Sequence, residues 1–257
     1  MLSDLGILEA VEALSLRPHT AKMRSYRNGD VLSSTTLFNP EATSDSMPYL
    51  LIHRADLQRV LYEKAKSLGV TIRLSSEIVK IDFTLPSVEL TTGEVFIADV
   101  IFGADGERSV AQRLLRGFDN LPKDSGDEVI RFTVPCSEIL KQDDLADLVH
   151  PPNINFWVGP GAHAITYALK RDGLLNVVLT QAHTIGDTVK YGPQPADMTD
   201  VRKAFMGWDS RFEKLLNIAH HCARWTLLIS SEVQTWTSKE GTFSLVGDAA
   251  HAMLPFL

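Results

Sequence analysis

Two stretches near opposite ends of the chain constrain its fold more than any other feature. In Asp99–Ser109 (DVIFGADGERS) and again in Thr242–Pro255 (TFSLVGDAAHAMLP), an apolar run passes directly into a corner built from Gly and Asp. A short basic helix is predicted after the first corner, over Val110–Arg116. Strand, tight turn and helix in that order are the punctuation of an α/β protein. Small residues at such a corner let a ligand approach the backbone, and a helix start beyond it offers N–H groups and positive potential to a phosphate. Asp105 at the first corner either hydrogen-bonds a ligand hydroxyl or steadies the turn. Taken singly, each corner also reads as a structural turn that uses Asp and Gly for geometry alone.

The chain between the corners alternates in character. A helix is predicted over Leu2–Leu16, stopping before Arg17-Pro18. The pair Asn28-Gly29 between Lys22–Arg27 and Asp30–Thr36 predicts a hairpin, because both turn residues tolerate positive φ. Asn39–Pro48 reads as a polar loop. In Arg54–Leu68 the residues Leu57, Val60, Leu61, Ala65 and Leu68 form one stripe at helical spacing, which predicts a buried face, and Gly69 ends it. Val70–Leu74, Glu77–Phe83, Ser87–Thr91 and Glu94–Phe102 read as four β segments, the last two joined through Thr92-Gly93. Composition shifts to Gly, Pro and charge over Phe118–Asp127, marking a crossing between domains. Glu128–Val134, Asn153–Val158, Ala162–Leu169 and Leu174–Gln181 then predict a second, β-rich sheet, with helices over Asp200–Phe205 and Arg211–His220.

Composition removes several function classes. With 257 residues, 44% hydrophobic and 22% charged, the chain can bury a sizeable core. A net charge of −7 argues against a nucleic-acid partner, since an acidic surface repels phosphates. No run approaches the about 18 apolar residues a membrane span requires. The two cysteines, Cys136 and Cys222, are far apart, and the amino terminus lacks a basic leader, so a reducing, cytoplasmic setting is expected. His220-His221-Cys222 lacks a second pair of ligands at zinc spacing, so no metal site is predicted. No Gly-x-Ser-x-Gly elbow supports a hydrolase.

A third segment, Ile52–Gln58 (IHRADLQ), places an Arg at the entrance to the predicted helix. On its own it reads as a solvated surface charge. The ordered set of all three resembles the class A flavin monooxygenases, the para-hydroxybenzoate-hydroxylase-like group, and within it the salicylate-hydroxylase-like fungal branch. The resemblance implies an α/β chain with a partial Rossmann-like FAD/NAD(P)-binding fold and an inserted β-rich substrate domain. Its implied boundaries are residues 1–120 for the partial FAD-binding domain, 121–224 for the substrate domain and 225–257 for the return. It further implies FAD as cofactor, NAD(P)H as co-substrate, and insertion of one oxygen atom from O2 into a small aromatic or secondary-metabolite substrate.

Site residues carry over one at a time. Arg54 matches the helix-leading Arg that contacts the FAD. Asp105 and Gly106 match the Asp-Gly motif associated with the FAD pyrophosphate and NAD(P)H. Gly247 and Asp248 match the corner whose carboxylate accepts a ribityl hydroxyl. Arg131 and Tyr167 sit where relatives carry substrate-side, catalytic residues; a surface charge and a core aromatic are the plain readings of the same two positions.

The departures are as informative. No Gly-x-Gly-x-x-Gly turn, which in this family seats the ADP pyrophosphate, occurs in the sequence. Gln112 stands where the Asp-Gly motif usually shows Arg. By comparison with the family, the chain begins after the first βαβ unit and stops at the motif's proline. This predicts a product truncated at both ends, with weakened FAD binding and with apolar strand edges open to water. Two rival readings follow: a non-catalytic remnant that does not retain FAD, and a flavin-dependent reductase or halogenase without oxygen insertion.

Overall fold

The structure, a computed structural model, describes residues 1–38, 48–118, 121–186 and 191–255. The polar loop predicted over Asn39–Pro48 lies almost wholly outside the described residues. In chain order the elements are α1 (Leu8–Leu14), β1 (Thr20–Ser25), β2 (Val31–Thr36), α2 (Arg54–Ser67), β3 (Ile78–Asp82), β4 (Ser87–Leu90), β5 (Val95–Ile97) and β6 (Ile101–Gly103). There follow α3 (Val110–Arg116), β7 (Lys123–Pro135), α4 (Cys136–Ile139), β8 (Asn153–Gly159), β9 (Ala162–Leu169) and β10 (Leu174–Ala182). The chain closes with β11 (Gln194–Ala196), α5 (Met198–Ala204), α6 (Ser210–Ile218), β12 (Cys222–Ile229), β13 (Phe243–Leu245) and α7 (Asp248–His251). No helix among the described residues is long and apolar enough to cross a membrane.

These elements form two compact units. The first gathers Met1–Val70, Asp127–Thr184 and Lys190–Thr226; the second gathers Thr71–Gly126, Ile185–Val189 and Leu227–Leu257. Sequence places its breaks near 120 and 225. Compactness sets them at 126 and 226 and adds breaks at 70 and on either side of Ile185–Val189, so the first seventy residues fall in the same unit as the β-rich sheet.

The first unit is built on a sheet ordered β11-β12-β7-β10-β9-β8-β1-β2. The Asn28-Gly29 hairpin forms as predicted, with a register shift at Met23/Arg24, and β1 then pairs in parallel with β8. Alternation along β7, β9 and β10 sends Ile130, Phe132, Val134, Ala164, Ala168, Leu175, Val177 and Leu179 to one face. There they pack with Val201, Phe205, Phe212, Leu215 and Leu216 of the α5–α6 region in one core. Trp157, fully buried in that core, donates its indole N–H to Asp209 Oδ2 over 3.0 Å. Arg24 is also buried here. It donates to Asn155 Oδ1 at 2.9 Å, to the Gly29 carbonyl at 3.1 Å and to Asp147 Oδ2 at 2.8 Å, so its charge is fully spoken for.

Helix α2 begins and ends where its sequence predicts. His53 caps it, its Nδ1 accepting from the Ala55 N–H at 3.2 Å. At its far end the Val70 N–H bonds the Ala65 carbonyl and the Gly69 N–H bonds that of Lys66, the crossed pair of a Schellman close. The predicted stripe, however, is not buried: Leu61 is 43% and Leu68 70% exposed, and Asp56 is the buried residue of the helix. Five consecutive apolar positions at helical spacing state which face wants a partner; they do not supply one.

The second unit holds the sheet β3-β4-β5 and the parallel pair β13-β6. Three of its four predicted β segments appear, with Glu94–Phe102 split into β5 and β6. Val70–Leu74 forms no ladder among the described residues. Its core is Ile81, Ala111, Val233, Phe243, Leu245, Ala249 and Ala250. Phe102, Val100, Ile97 and Leu74 are 48–78% exposed.

Candidate functional site

In the second unit the two Gly/Asp corners come together. β13 and β6 run parallel in the register Phe243↔Ile101, Ser244↔Phe102 and Leu245↔Gly103, and the Val246 N–H continues the ladder to the Gly103 carbonyl at 2.9 Å. Both corners therefore leave the carboxyl ends of adjacent parallel strands, the edge at which open α/β sheets hold ligands. Close packing fixes this arrangement. A Cβ at Gly103 would come within 2.9 Å of the Ala111 Cβ and 3.0 Å of Leu245 Cδ2, so only glycine lets α3 settle on the strand pair.

The two aspartates differ in what remains free. Asp105 is exposed, yet both its oxygens are engaged within the motif: Oδ1 accepts from Ser109 Oγ at 2.5 Å, and Oδ2 from the Ala111 N–H at 3.0 Å. Ser109 in turn caps α3 by accepting from the Gln112 N–H at 2.8 Å. Asp248 is exposed and has no hydrogen-bond partner among the described residues. It follows Gly247, whose φ of 60° and ψ of −142° fall in a region essentially reserved for glycine, and nothing lies within 4 Å of a Cβ built there. The corner thus presents an open backbone and a free carboxylate side by side. Loss of solvent around Glu107, and then the neighbouring Asp248 charge, raise the Glu107 carboxyl above its ordinary value.

Three residues that the sequence reading did not assign to the site hold it together. Gln112, buried, donates its side-chain amide to the Ala249 carbonyl at 2.8 Å. Ser109 supplies the cap. Trp236 stacks on His251 with ring centroids 5.3 Å apart. The Ser of the Asp-Gly-x-x-Ser motif was legible as a capping residue; nothing in the sequence pairs Gln112 with Ala249.

In the first unit, Arg131 and Tyr167 lie on the face of the sheet opposite the core. The register Arg131↔Val178↔Ile165 and Thr133↔Asn176↔Tyr167 puts both side chains on that face, on strands β7 and β9 with β10 between them. The Arg131 guanidinium lies over the Trp225 ring, 5.6 Å from its centroid. Burial pushes the Tyr167 phenol up, Arg131 draws it down and Tyr49 pushes it up again, for a net rise. Phe156 and His163 share the face, their rings 5.1 Å apart, and burial lowers the imidazole against the opposing pull of Asp127. The face is therefore aromatic and half-buried, and it carries the Arg131 cation. Arg54, in the same unit, opens α2 as an exposed side chain with no hydrogen-bond partner among the described residues.

No protein-family profile matches the chain. It is similar to the FAD-dependent monooxygenase OpS4 of Beauveria bassiana, 30% identical over all of this chain and 60% of that protein. Among solved structures it resembles CtdE in complex with FAD and its substrate, with TM-score 0.81 and 19% identity over 97% of this chain and 61% of that one. Salicylate hydroxylase in its substrate complex gives TM-score 0.78 and 22% identity over 99% of this chain and 64% of that one. The chain's relatives are FAD-dependent monooxygenases, and its fold is that of the flavoprotein hydroxylases. It spans about 60% of the length of the curated relatives it matches.

Proposed function

We propose that this chain serves an FAD-dependent monooxygenase that hydroxylates or epoxidises a small aromatic or secondary-metabolite substrate, using NAD(P)H and O2, in the cytoplasm. One observation carries the reading: two Gly/Asp corners leave the carboxyl ends of the parallel β6–β13 pair, and the Asp248 carboxylate stands there exposed and unspent. An acceptor without a donor, beside a glycine whose missing Cβ opens the backbone, fits the hydroxyl-bearing chain of a flavin nucleotide.

In this reading Asp248 accepts a ribityl hydroxyl, and Gly247 and Gly106 let the nucleotide close on the backbone. Asp105 acts through Ser109 and the Ala111 N–H, holding α3 in position while its outer lone pairs remain able to accept from the ligand. Bound FAD would supply the redox chemistry, hydride acceptance from NAD(P)H and activation of O2, that no side chain here provides.

The protein's part is then orientation and exclusion of water. A tyrosine phenol is protonated at neutral pH in any case, and burial holds the Tyr167 proton more firmly still, so it can donate to a substrate oxygen. Arg131, held over Trp225, supplies positive charge to an anionic or developing negative group on the aromatic substrate. No side chain is required as a nucleophile.

The test is to titrate the purified chain with FAD and follow flavin absorbance and quenching of flavin fluorescence. Saturable flavin binding, weak in the chain without a Gly-x-Gly-x-x-Gly turn and weaker still in Asp248→Ala, with NAD(P)H oxidation and an oxygenated aromatic product, is the expected result. A chain that takes up no flavin under any loading condition would instead be a remnant of such an enzyme.

A further inference from the structure

In the second unit a cleft of about 490 Å³ is lined by Arg116 and Phe118 from the end of α3 and by residues between Glu232 and Lys239. Two of its side chains carry buried polar atoms with no partner. Among the described residues Arg116 Nη1 has no hydrogen bond, and neither does Ser238 Oγ, although Ser238 is only 7% exposed.

Both groups are held in place by contacts that leave those atoms unused. The Arg116 guanidinium lies over the Phe118 ring, 4.3 Å from its centroid, which fixes the plane of the fork. Ser238 is anchored through its backbone: its N–H donates to the Phe243 carbonyl at 3.0 Å, and its carbonyl accepts from the Gly241 N–H at 3.1 Å. The hydroxyl is the part of that residue left over.

A buried guanidinium N–H without an acceptor is among the costliest polar groups a fold can carry, and a ligand acceptor relieves it. The neighbours select the ligand's sign. Lys239 adds a second cation and the Thr237 hydroxyl a further donor, while Glu232 is the single carboxylate of the lining. Two cations against one anion, with hydroxyl donors interleaved, fit an oxyanion of several equivalent oxygens better than a monovalent halide or a neutral ligand.

We propose that this cleft binds a phosphoryl group, with Arg116 Nη1 and Ser238 Oγ as its two anchoring donors. The group is either free phosphate or the end of a larger phosphomonoester.

The test uses the purified full chain with inorganic phosphate and, separately, phenyl phosphate, each against potassium chloride at matched ionic strength. Binding is read by isothermal titration and by the rise in melting temperature that a native-state ligand produces. Saturable binding of phosphate is expected, weakened at least tenfold in both Arg116→Gln and Ser238→Ala. Ser238→Ala should melt no lower than the parent without phosphate, since its hydroxyl has no partner to lose. Should Arg116→Gln fail to fold, Ser238→Ala alone decides. Tighter binding of phenyl phosphate places the group on a larger molecule, and equal binding marks the free ion; either supports the site. No saturable binding of either probe, or unchanged affinity in Ser238→Ala, overturns it.

Discussion

The side-chain amide of Gln112 donates to the main-chain carbonyl of Ala249 over 2.8 Å, and so ties the helix after the first Gly/Asp corner to the short helix after the second. Both partners are buried, so no water replaces the bond when it is lost. Gln112→Leu keeps the side chain's bulk and removes the donor. It should cost about 1–3 kcal/mol, the desolvation penalty of a stranded acceptor. Urea denaturation read by a probe in the second unit measures it, and an unmoved midpoint would show that the bridge does nothing for stability.

Ser109 holds two roles with one hydroxyl: it donates to Asp105 Oδ1 and accepts from the Gln112 N–H. Ser109→Ala therefore uncaps α3 and frees an aspartate oxygen at once. A loss of about 0.5–2 kcal/mol is expected from the cap. Ser109→Thr retains the hydroxyl and should recover most of it, which separates capping from simple crowding in thermal melts.

Asp248 and Glu107 share the open edge of the strand pair, and the Asp248 charge is one cause of the raised Glu107 carboxyl. Asp248→Asn deletes that charge at nearly constant shape. The Glu107 titration, followed by carbonyl-carbon NMR, should move to lower pH. Flavin affinity should fall in the same variant, because the amide makes a poorer acceptor for a hydroxyl than the carboxylate does. A Glu107 titration that stays put would separate the two carboxylates.

Much of this architecture could be read from residues alone, and the rest could not for identifiable reasons. Helix α2, the Asn28-Gly29 hairpin and strands β8, β9 and β10 each announce themselves through local spacing or turn chemistry. Their bounds differ from the sequence reading by one to a few residues. Strand β12 escaped notice because Cys222–Ile229 mixes Arg, Trp and Thr without clean alternation, and it becomes a strand through its ladder with β11. Val70–Leu74 looked like a strand from composition, but strand formation needs a partner and none is present among the described residues. At the site, the corners were legible because Gly and Asp are required there for geometry. Which aspartate stays free was not legible, since Asp105 and Asp248 sit in similar local sequence and differ in whether a Ser follows four residues later.

Asp209 links the first unit's stability to pH. Burial opposes its ionisation, but donors from Arg211 and Trp157 outweigh that cost and hold its carboxyl below the usual aspartate value. A depressed acid stabilises the fold above the ordinary value of about 3.9 and gives that stability up as pH falls through the lower native value. Wild-type stability should therefore decline below about pH 4 more steeply than that of Asp209→Asn, which is weaker throughout but has nothing left to titrate. Parallel acid-denaturation curves for the two proteins would remove Asp209 from the explanation.

Gly29 shows how a turn residue can be demanded twice. Its φ of +70° follows from the hairpin, and that alone makes glycine the favoured residue. The fold adds a steric reason. A Cβ at this position would sit 1.9 Å from Asp209 Oδ2 and 2.1 Å from an Arg211 guanidinium nitrogen, and that Asp209 oxygen accepts from both Arg211 and the Trp157 indole N–H. Asparagine commonly tolerates positive φ, so a turn-only requirement would let Gly29→Asn pass at a cost of about 1 kcal/mol or less. The structure predicts a larger loss for both Gly29→Ala and Gly29→Asn. Either Cβ must displace a buried aspartate from its two donors, and breaking such a network costs about 3–5 kcal/mol. Melting temperature together with the near-ultraviolet circular dichroism of Trp157 reads both effects. A Gly29→Asn protein with native tryptophan dichroism and near-native stability would reduce Gly29 to an ordinary turn glycine.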